Sequence, residues 1–156
     1  AIMCKFRNNG QTCVCANRIY VQAGIYDAFA AKLKEAVAAM KVGDGLDDGT
    51  QFGPLISTAA VKKVEDHIAD ATDKGAEVIL GGNPSELGGT FFQPTIITGA
   101  TREMAFATDE TFGPRPLVPL YMASSIANHQ RLASVVNSAS GLKWIPSPVP
   151  LLRSTS

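Results

Sequence analysis

The stretch Asn17-Arg-Ile-Tyr-Val-Gln22, together with the segment Asp27 to Lys41 that follows it, decides the fold class of this chain. The first segment is rich in β-branched and aromatic residues, which predicts a strand. The second has apolar residues at helical spacing, which predicts an amphipathic helix. Its predicted apolar face consists of Phe29, Leu33, Ala36, Val37 and Met40. A strand followed directly by a helix favours an α/β protein.

The remaining segments continue this alternation. A second helix is predicted from Thr58 to Lys74, with Ser57 as N-cap and Gly75 as its C-terminal stop. Its predicted apolar stripe consists of Val61, Val64, Ile68 and Ala71. His67 follows Glu65 and Asp66, which predicts a solvated face at that position. A turn-rich loop is predicted at Gly43–Gly49. Two further strands are predicted, one at Glu77–Leu80 and one at Phe91–Thr98, where Pro94 marks an edge or an irregularity.

Composition excludes several classes of protein. The 156 residues are 46% hydrophobic and 18% charged, as in a globular domain. No apolar run approaches the roughly 20 residues of a membrane span, and no signal peptide is visible. A net charge of zero gives no argument for nucleic acid or an anionic membrane. The three cysteines are too few for a disulfide scaffold, so we expect a reducing compartment and a cytoplasmic protein.

Charge divides unevenly along the chain. All 14 acidic residues lie at or before Glu110, and the last 46 residues hold four basic residues and no acid. This tail is rich in Ser and Pro, and one weak helical stretch is predicted at 124–136. The composition shift predicts a boundary, with residues 1–118 as one region and 119–156 as a tail that is disordered or frameshifted. His67 and His129 lack further ligands at metal spacing, so no metal site is expected.

The segment Phe6-Arg-Asn-Asn-Gly-Gln-Thr-Cys-Val-Cys-Ala-Asn-Arg18 is the candidate site. Cys13 follows a Gly-containing turn, where backbone N–H groups could lower the pKa of a thiol and bind an oxyanion. The Cys-x-Cys pair could instead bind a metal or form a strained disulfide, because alternate side chains on a strand lie about 6.6 Å apart. Taken alone, a cysteine here is more often structural than catalytic, and Cys4 is expected in the core.

This segment resembles the active-site peptide of the aldehyde dehydrogenase family, in particular its succinate-semialdehyde branch. Three other stretches resemble family motifs in the same order: Gly53-Pro-Leu-Ile56, Gly88-Gly-Thr-Phe-Phe-Gln-Pro-Thr95 and Asp109-Glu-Thr-Phe-Gly-Pro114. The resemblance covers about residues 1–118. It implies a fragment of the catalytic domain, an α/β fold with a Rossmann-like open sheet and flanking helices.

The resemblance also implies roles for single residues. Cys13 would be the nucleophile that forms a thiohemiacetal and then a thioester with an aldehyde, and its N–H would stabilise the oxyanion. Arg7 would bind the distal carboxylate of succinate semialdehyde. Glu110 and Phe112 would contact the nicotinamide of NAD or NADP. Cys15 resembles a cysteine that forms a reversible disulfide with the nucleophile in some members, the alternative being a small buried side chain.

The chain is about a third as long as family members, and its opening at Ala1 and its divergence after about Val118 suggest a partial gene read with a frameshift after Arg115. The implied parent is a homo-oligomeric, NAD(P)-dependent enzyme that oxidises succinate semialdehyde to succinate. The fragment alone is expected to be inactive, because the cofactor domain and the deacylating glutamate would precede Ala1. Two other hypotheses stay open: a Cys-x-Cys redox or metal-binding module, and an inert fragment that folds poorly.

Overall fold

The computed structural model describes residues 1–109 and 117–123, in which helices and strands are interspersed. The helices are α1 (Ile2–Phe6), α2 (Tyr26–Ala38), α3 (Thr58–Asp73) and α4 (Ala105–Thr108), with 3₁₀ turns at Arg7–Gly10 and Ala23–Ile25. The strands are β1 (Ile19–Gln22), β2 (Lys41–Val42), β3 (Thr50–Phe52), β4 (Glu77–Leu80), β5 (Thr95–Thr98) and β6 (Leu117–Ala123).

Four of these strands form one mostly parallel sheet in the order β1-β6-β5-β4. Strand β6 pairs in parallel with β1, where Ile19 lies opposite Leu120, and with β5, where Ile96 lies opposite Val118. Strand β4 pairs antiparallel with β5 at the edge. Strands β2 and β3 form a separate two-stranded parallel sheet. The α/β class with an open, mostly parallel sheet, expected from the sequence, is therefore confirmed.

The four-stranded sheet carries a helix on each face. Neighbouring strand residues alternate between two apolar clusters, because successive side chains of a strand point to opposite faces. Ile96 and Leu120 pack with α2, whereas Ile97 and Tyr121 pack with α3. All four side chains are buried. Burial of both faces is typical of a parallel sheet in an α/β fold.

Helix α2 confirms the predicted helix but ends earlier and buries a shifted face. It stops at Ala38, and Lys41 already belongs to β2. Its buried residues are Tyr26, Ala30, Leu33 and Val37. Ala36, predicted on the apolar face, is exposed. The prediction was wrong there because the face that meets the sheet begins at Tyr26, one residue before the predicted start.

Helix α3 agrees with the predicted bounds to within one residue. The Ser57 side chain accepts a hydrogen bond from the Ala60 N–H at 3.2 Å, as an N-cap does. At the other end, Gly75 has φ +88°, its N–H donates to the Thr72 carbonyl, and the Ala76 N–H donates to the Ala71 carbonyl. These two bonds form a Schellman motif, which requires a left-handed residue and so favours glycine.

His67 is buried in this helix, so the prediction of a solvated face was wrong. Its buried neighbours on α3 are Val64, Ile68 and Ala71, which lie three before it, one after it and four after it. This spacing places His67 inside the stripe that faces the sheet. The charged residues Glu65 and Asp66 precede it in sequence but are less buried, Glu65 partly and Asp66 not at all, because the helix turns them away from the centre of the stripe.

Strand β5 is shorter than predicted, beginning at Thr95 rather than Phe91. Phe92 instead forms an isolated bridge with Pro84. Pro94, between Phe92 and the start of β5, passes close to Gly81, where a Cβ atom would lie 2.3 Å from the Pro94 carbonyl oxygen. Gly81 also has φ +68°, so only glycine fits this close approach. The crossing and Pro94 together stop the strand ladder short.

Strand β6 crosses residue 118, where the sequence predicts the boundary between the matched region and the tail. Its residues up to Ala123 pair with β1, so they belong to the sheet. The division at 118 stays a prediction, and the predicted helical stretch at 124–136 lies outside the described residues. Among the helices that the structure describes, none has the length and apolarity needed to cross a bilayer.

Candidate active site

The segment from Arg7 to Cys15 folds into two successive turns that expose Cys13. Asn8, Asn9 and Gly10 all have left-handed backbone conformations, with φ of 49°, 58° and 76°. Asparagine and glycine tolerate this region better than other residues. A second turn spans Thr12 to Cys15, where the Cys15 N–H donates to the Thr12 carbonyl at 3.0 Å. Cys13 and Val14 form the exposed corner of this turn.

Side chains of the first turn bind the loop that follows β3. The Asn9 Oδ1 accepts a hydrogen bond from the Gly53 N–H at 3.1 Å. The Gln11 amide donates to the Pro54 carbonyl at 3.2 Å, and the Asn9 amide reaches the same oxygen at 3.5 Å. Beneath them the Phe6 ring packs edge-on against Phe52, with 5.2 Å between ring centres. The Cys13 segment therefore rests on the stretch that resembles the Gly-Pro-Leu motif.

The other two motif regions attach in the same way. Leu55 exchanges two hydrogen bonds with Thr90: its N–H donates to the Thr90 carbonyl at 2.8 Å, and the Thr90 hydroxyl donates to its carbonyl at 2.6 Å. The Arg18 guanidinium donates to the carbonyl of Ala107, in α4. Hydrogen bonds therefore join the first three stretches that resemble family motifs. They also join the first stretch to α4, the helix that precedes the fourth.

The three cysteines differ in their surroundings. The Cys13 side chain is exposed, and its backbone N–H makes no hydrogen bond within the described residues. Cys15 is buried, with its Sγ 2.9 Å from the Thr12 hydroxyl and 3.5 Å from the Arg7 carbonyl oxygen. Cys4 is exposed, so its predicted place in the core was wrong. Helix α1 turns Lys5 and Phe6 inward instead, which leaves Cys4 on the outer side.

Arg7 has an exposed side chain that joins none of the ion pairs found among residues 1–109 and 117–123. Its backbone lies next to the site through the contact of its carbonyl with Cys15. Glu110 and Phe112, the predicted cofactor residues, lie outside the described residues. The structure therefore places Arg7, Cys13 and Cys15 on one folded segment. Their roles, and those of Glu110 and Phe112, stay predictions.

Polar side chains at the end of α3 fix α4, the helix that leads to Glu110. The Asp70 carboxylate accepts the Ala105 N–H at 2.7 Å and also pairs with Lys74. Lys74 donates to the Glu103 carbonyl at 2.8 Å. The Lys74 ammonium, followed by the Ala105 N–H, holds the pKa of Asp70 below its ordinary value. His67 Nε2 lies 3.9 Å from the Asp109 carboxylate.

Metal binding finds no structural support in the part of the chain that the structure describes. No three His, Cys, Asp or Glu side chains there lie close enough to hold one ion. Structural zinc sites need four such ligands, and catalytic sites need three. The Cys-x-Cys pair therefore lacks the further ligands that a metal site requires among residues 1–109 and 117–123.

Comparison with known proteins places the chain in a family. The model of the aldehyde dehydrogenase family matches residues 1–139. The chain belongs to the aldehyde dehydrogenase family. It is 58% identical over 121 residues to a glutarate-semialdehyde dehydrogenase of Pseudomonas aeruginosa, an alignment that covers 78% of this chain and 25% of that protein.

Two further proteins are similar to the chain. It is 57% identical over 121 residues to an NADP(+) succinate-semialdehyde dehydrogenase of Escherichia coli, again covering 78% of this chain and 25% of the relative. The crystal structure of a succinate-semialdehyde dehydrogenase from Burkholderia pseudomallei superposes with a TM-score of 0.80 at 54% identity, covering 85% of this chain and 27% of that one. The chain thus spans about a quarter of the length of the curated relatives it matches.

Asn9, Gln11 and Thr12 lie within the candidate segment, but the sequence predicted no individual role for them. These residues make the contacts that hold the site. The signal available in sequence was the run Asn8-Asn9-Gly10, whose residue types tolerate positive φ. The partners of Asn9 and Gln11 could not be found that way, because Gly53 and Pro54 lie more than 40 positions further along the chain. The partner of Thr12 is Cys15, within the same motif.

Proposed function

We propose that this chain carries the nucleophile and the substrate-anion site of an NAD(P)-dependent aldehyde dehydrogenase, which converts succinate semialdehyde to succinate. The observation that carries the proposal is the exposed Cys13 thiol on a short turn tied to the backbone of Arg7. Names of the relatives support the substrate class, since glutarate and succinate semialdehydes both carry a carboxylate at the far end from the aldehyde.

Cys13 is the attacking group in this proposal. Its thiolate forms a C–S bond to the aldehyde carbon, and the carbonyl electron pair moves to oxygen to give a thiohemiacetal. The Cys13 N–H, unbonded within the described residues, is available as a donor to that oxyanion. The thiol proton goes to solvent before attack. Exposure of the side chain leaves room for the substrate.

Arg7 selects the substrate. Its guanidinium is exposed and outside the ion pairs of the described residues, so it can form a bidentate pair with a carboxylate. A neutral aldehyde of the same length lacks that interaction. A charge-assisted contact of this kind is worth about 1.5–3 kcal/mol, or roughly tenfold to a hundredfold in affinity.

The nicotinamide cofactor supplies the hydride acceptor when bound. The E. coli relative is named for NADP(+), and we extend NAD or NADP to this chain on that basis. Glu110 and Phe112, assigned to the cofactor by resemblance, lie outside the described residues. Because the chain spans about a quarter of the length of its relatives, we propose that the chain alone performs the attack but does not turn over. The parent is proposed to be a cytoplasmic homo-oligomer.

The proposal is tested by protection of Cys13 from alkylation. The chain is incubated with succinate semialdehyde or with butanal, then treated with iodoacetamide, and the modified peptides are quantified by mass spectrometry. Cys4, also exposed, is the internal control. We expect succinate semialdehyde to protect Cys13 at about tenfold lower concentration than butanal, and Arg7→Gln to remove the difference. Equal protection of Cys4 and Cys13 would overturn the nucleophile assignment.

Oxidation is tested in the complete enzyme. The matched segment of the E. coli relative is replaced by the corresponding residues of this chain, and NADPH absorbance is followed with succinate semialdehyde. We expect activity in the chimera and its loss in the chimera with Cys13→Ala. A chimera that folds and binds NADP but gives no NADPH would contradict the proposal.

A second candidate is a thiol redox function of Cys13 and Cys15, favoured by the contrast of one exposed and one buried thiol two residues apart. Hydrogen peroxide would oxidise Cys13 to the sulfenic acid with release of water. Cys15 would then displace the hydroxyl as a second water, leaving a disulfide. A 13–15 disulfide after peroxide treatment, without any aldehyde protection of Cys13, would favour this function over aldehyde chemistry. Aldehyde protection without the disulfide would exclude it.

A further inference from the structure

The Cys15 thiol has no part in the aldehyde chemistry proposed above, yet its side chain makes hydrogen bonds, which neither of the other cysteine side chains does within the described residues. Its side chain is 7% exposed. Its Sγ lies 2.9 Å from the Thr12 hydroxyl and 3.5 Å from the Arg7 carbonyl oxygen. Both separations are within hydrogen-bonding range for sulfur. Since the carbonyl can only accept, Cys15 donates to Arg7, and the Thr12 hydroxyl donates to the sulfur.

These contacts close the 12–15 turn a second time. The backbone bond from the Cys15 N–H to the Thr12 carbonyl closes it once, at 3.0 Å. The side-chain contact between the same two residues closes it again, and leaves Cys13 at its corner. The bond to the Arg7 carbonyl then joins this turn to the preceding one. The sulfur of Cys15 is therefore the point at which the backbone of Arg7 meets the turn that presents Cys13.

We propose that the reduced Cys15 thiol, with Thr12, is a positioning residue that sets Cys13 relative to Arg7. The Arg7 guanidinium, which binds an anionic group, and the Cys13 thiol, which attacks, are then held on the same folded segment. As an enzyme feature the inference rests on the proposed function, but the geometric coupling does not need an aldehyde to be detected.

An anionic alkylating reagent measures this coupling directly. Iodoacetate and iodoacetamide have the same reacting carbon, but only iodoacetate carries a carboxylate. The ratio of their rates at Cys13 reports whether the Arg7 charge faces the thiol, and the same ratio at Cys4 is the internal control. In the full chain we expect a ratio at Cys13 about fivefold to tenfold above that at Cys4, and Arg7→Gln to bring the two together.

Four variants separate positioning from packing. Cys15→Ser keeps a donor and an acceptor, whereas Cys15→Ala removes both. Thr12→Val removes the hydroxyl at nearly constant volume, and Thr12→Ser restores it. We expect Cys15→Ala and Thr12→Val to lower the Cys13 ratio to that of Cys4, while Cys15→Ser and Thr12→Ser stay within about twofold of wild type. Circular dichroism checks each fold, and Thr12→Val decides alone if Cys15→Ala unfolds.

The outcomes separate the two proposals. A Cys13 ratio equal to that of Cys4 in the unmodified chain overturns the positioning role, as does a raised ratio that survives both Cys15→Ala and Thr12→Val. Loss of the ratio in Cys15→Ser as well as Cys15→Ala would overturn the hydrogen-bonding role of the thiol and assign the effect to packing. A raised, variant-sensitive ratio without protection by succinate semialdehyde would keep the positioning role and reject the proposed substrate chemistry.

Discussion

The peptide from Arg7 to Cys15 and helix α3 are two regions of similar importance to the fold with opposite sources of order. The backbone groups at the two ends of helix α3 bond to residues next to them in sequence: Ser57 caps the N-terminus and the Gly75 Schellman motif closes the C-terminus. The peptide has three consecutive left-handed residues, and its side chains bind residues more than 40 positions away. Helix α3 is ordered by local sequence, whereas the left-handed turn of the peptide is held in addition by residues far along the chain.

The difference bears on where reactive groups can be placed. A regular helix directs its side chains at fixed intervals and leaves little freedom to aim a thiol and a backbone N–H together. Left-handed residues outside glycine carry strain, which persists only where surrounding contacts impose it. The hydrogen bonds of Asn9 with the Gly53–Pro54 loop impose this conformation on the turn. We expect substitutions in α3 to lower stability without changing the reactivity of Cys13.

The largest effect is expected where the peptide rests on the core. Phe52 is 2% exposed and packs against Phe6. Phe52→Ala should lower the free energy of unfolding by about 3–5 kcal/mol through the cavity it leaves, measured by urea denaturation. Leu46→Ala, at a side chain 95% exposed, is the matched control and should change stability by less than about 0.5 kcal/mol.

A smaller effect is expected from the left-handed turn itself. Asn9→Ala removes the bond to the Gly53 N–H and places a strained residue at φ 58°, so it should cost about 1–3 kcal/mol of unfolding free energy. Asn9→Gly removes the same bond but adopts positive φ without strain, and should cost less. Equal losses in the two variants by urea denaturation would mean that backbone strain has no part in this turn.

The helix gives the contrasting result. Ser57→Ala removes the cap of α3 and should lower the unfolding free energy by about 1 kcal/mol. Because the cap is local, the iodoacetate-to-iodoacetamide ratio at Cys13 should not change. A changed ratio in a variant that remains folded would mean that the two regions are coupled, which would break the comparison.

The smallest effect is expected at the partly exposed Asp70–Lys74 pair, and it depends on pH. The pKa of Asp70 is lowered in the folded chain by Lys74 and then by the Ala105 N–H. Its stabilising contribution is therefore present above the ordinary aspartate pKa and is lost as pH falls through the lowered value. Asp70→Asn should lower the Tm at neutral pH, and the difference from wild type should vanish in acid. A constant difference across pH would exclude this linkage.

Most of the secondary structure could be predicted because it depends on local chemistry. The bounds of α3 and β4 followed from capping residues and apolar spacing. The start of β5 could not, because it depends on the close approach of Pro94 to Gly81 across the chain. His67 was misplaced for a related reason: its charged sequence neighbours suggested solvent, whereas the helix packs it against the sheet side.

The candidate site could be predicted in its chemistry but not in its support. The motif identified Cys13 and Arg7, and the resemblance that it carried led to the family that the comparisons then showed. The pairing of Asn9 and Gln11 with Pro54, and of Cys15 with Thr12 and Arg7, had no signal in composition or spacing. The contacts with Pro54 depend on where distant segments meet, whereas those of Cys15 depend on how the 7–15 segment itself turns.

The sequence by itself determined the α/β class and predicted β1, α2, α3, β4 and β5, because strand and helix periodicity and turn-forming residues act over a few positions. Its motif marked Cys13 as the candidate nucleophile through the family that it resembles. The tertiary structure alone decided which thiol is exposed and which is buried. It also decided that β6 fills the place between β1 and β5, and that the loop at Gly53 and Pro54 binds the turn that precedes Cys13. The physical reason is that burial and long-range hydrogen bonds depend on the packing of segments far apart in the chain, which local sequence does not encode.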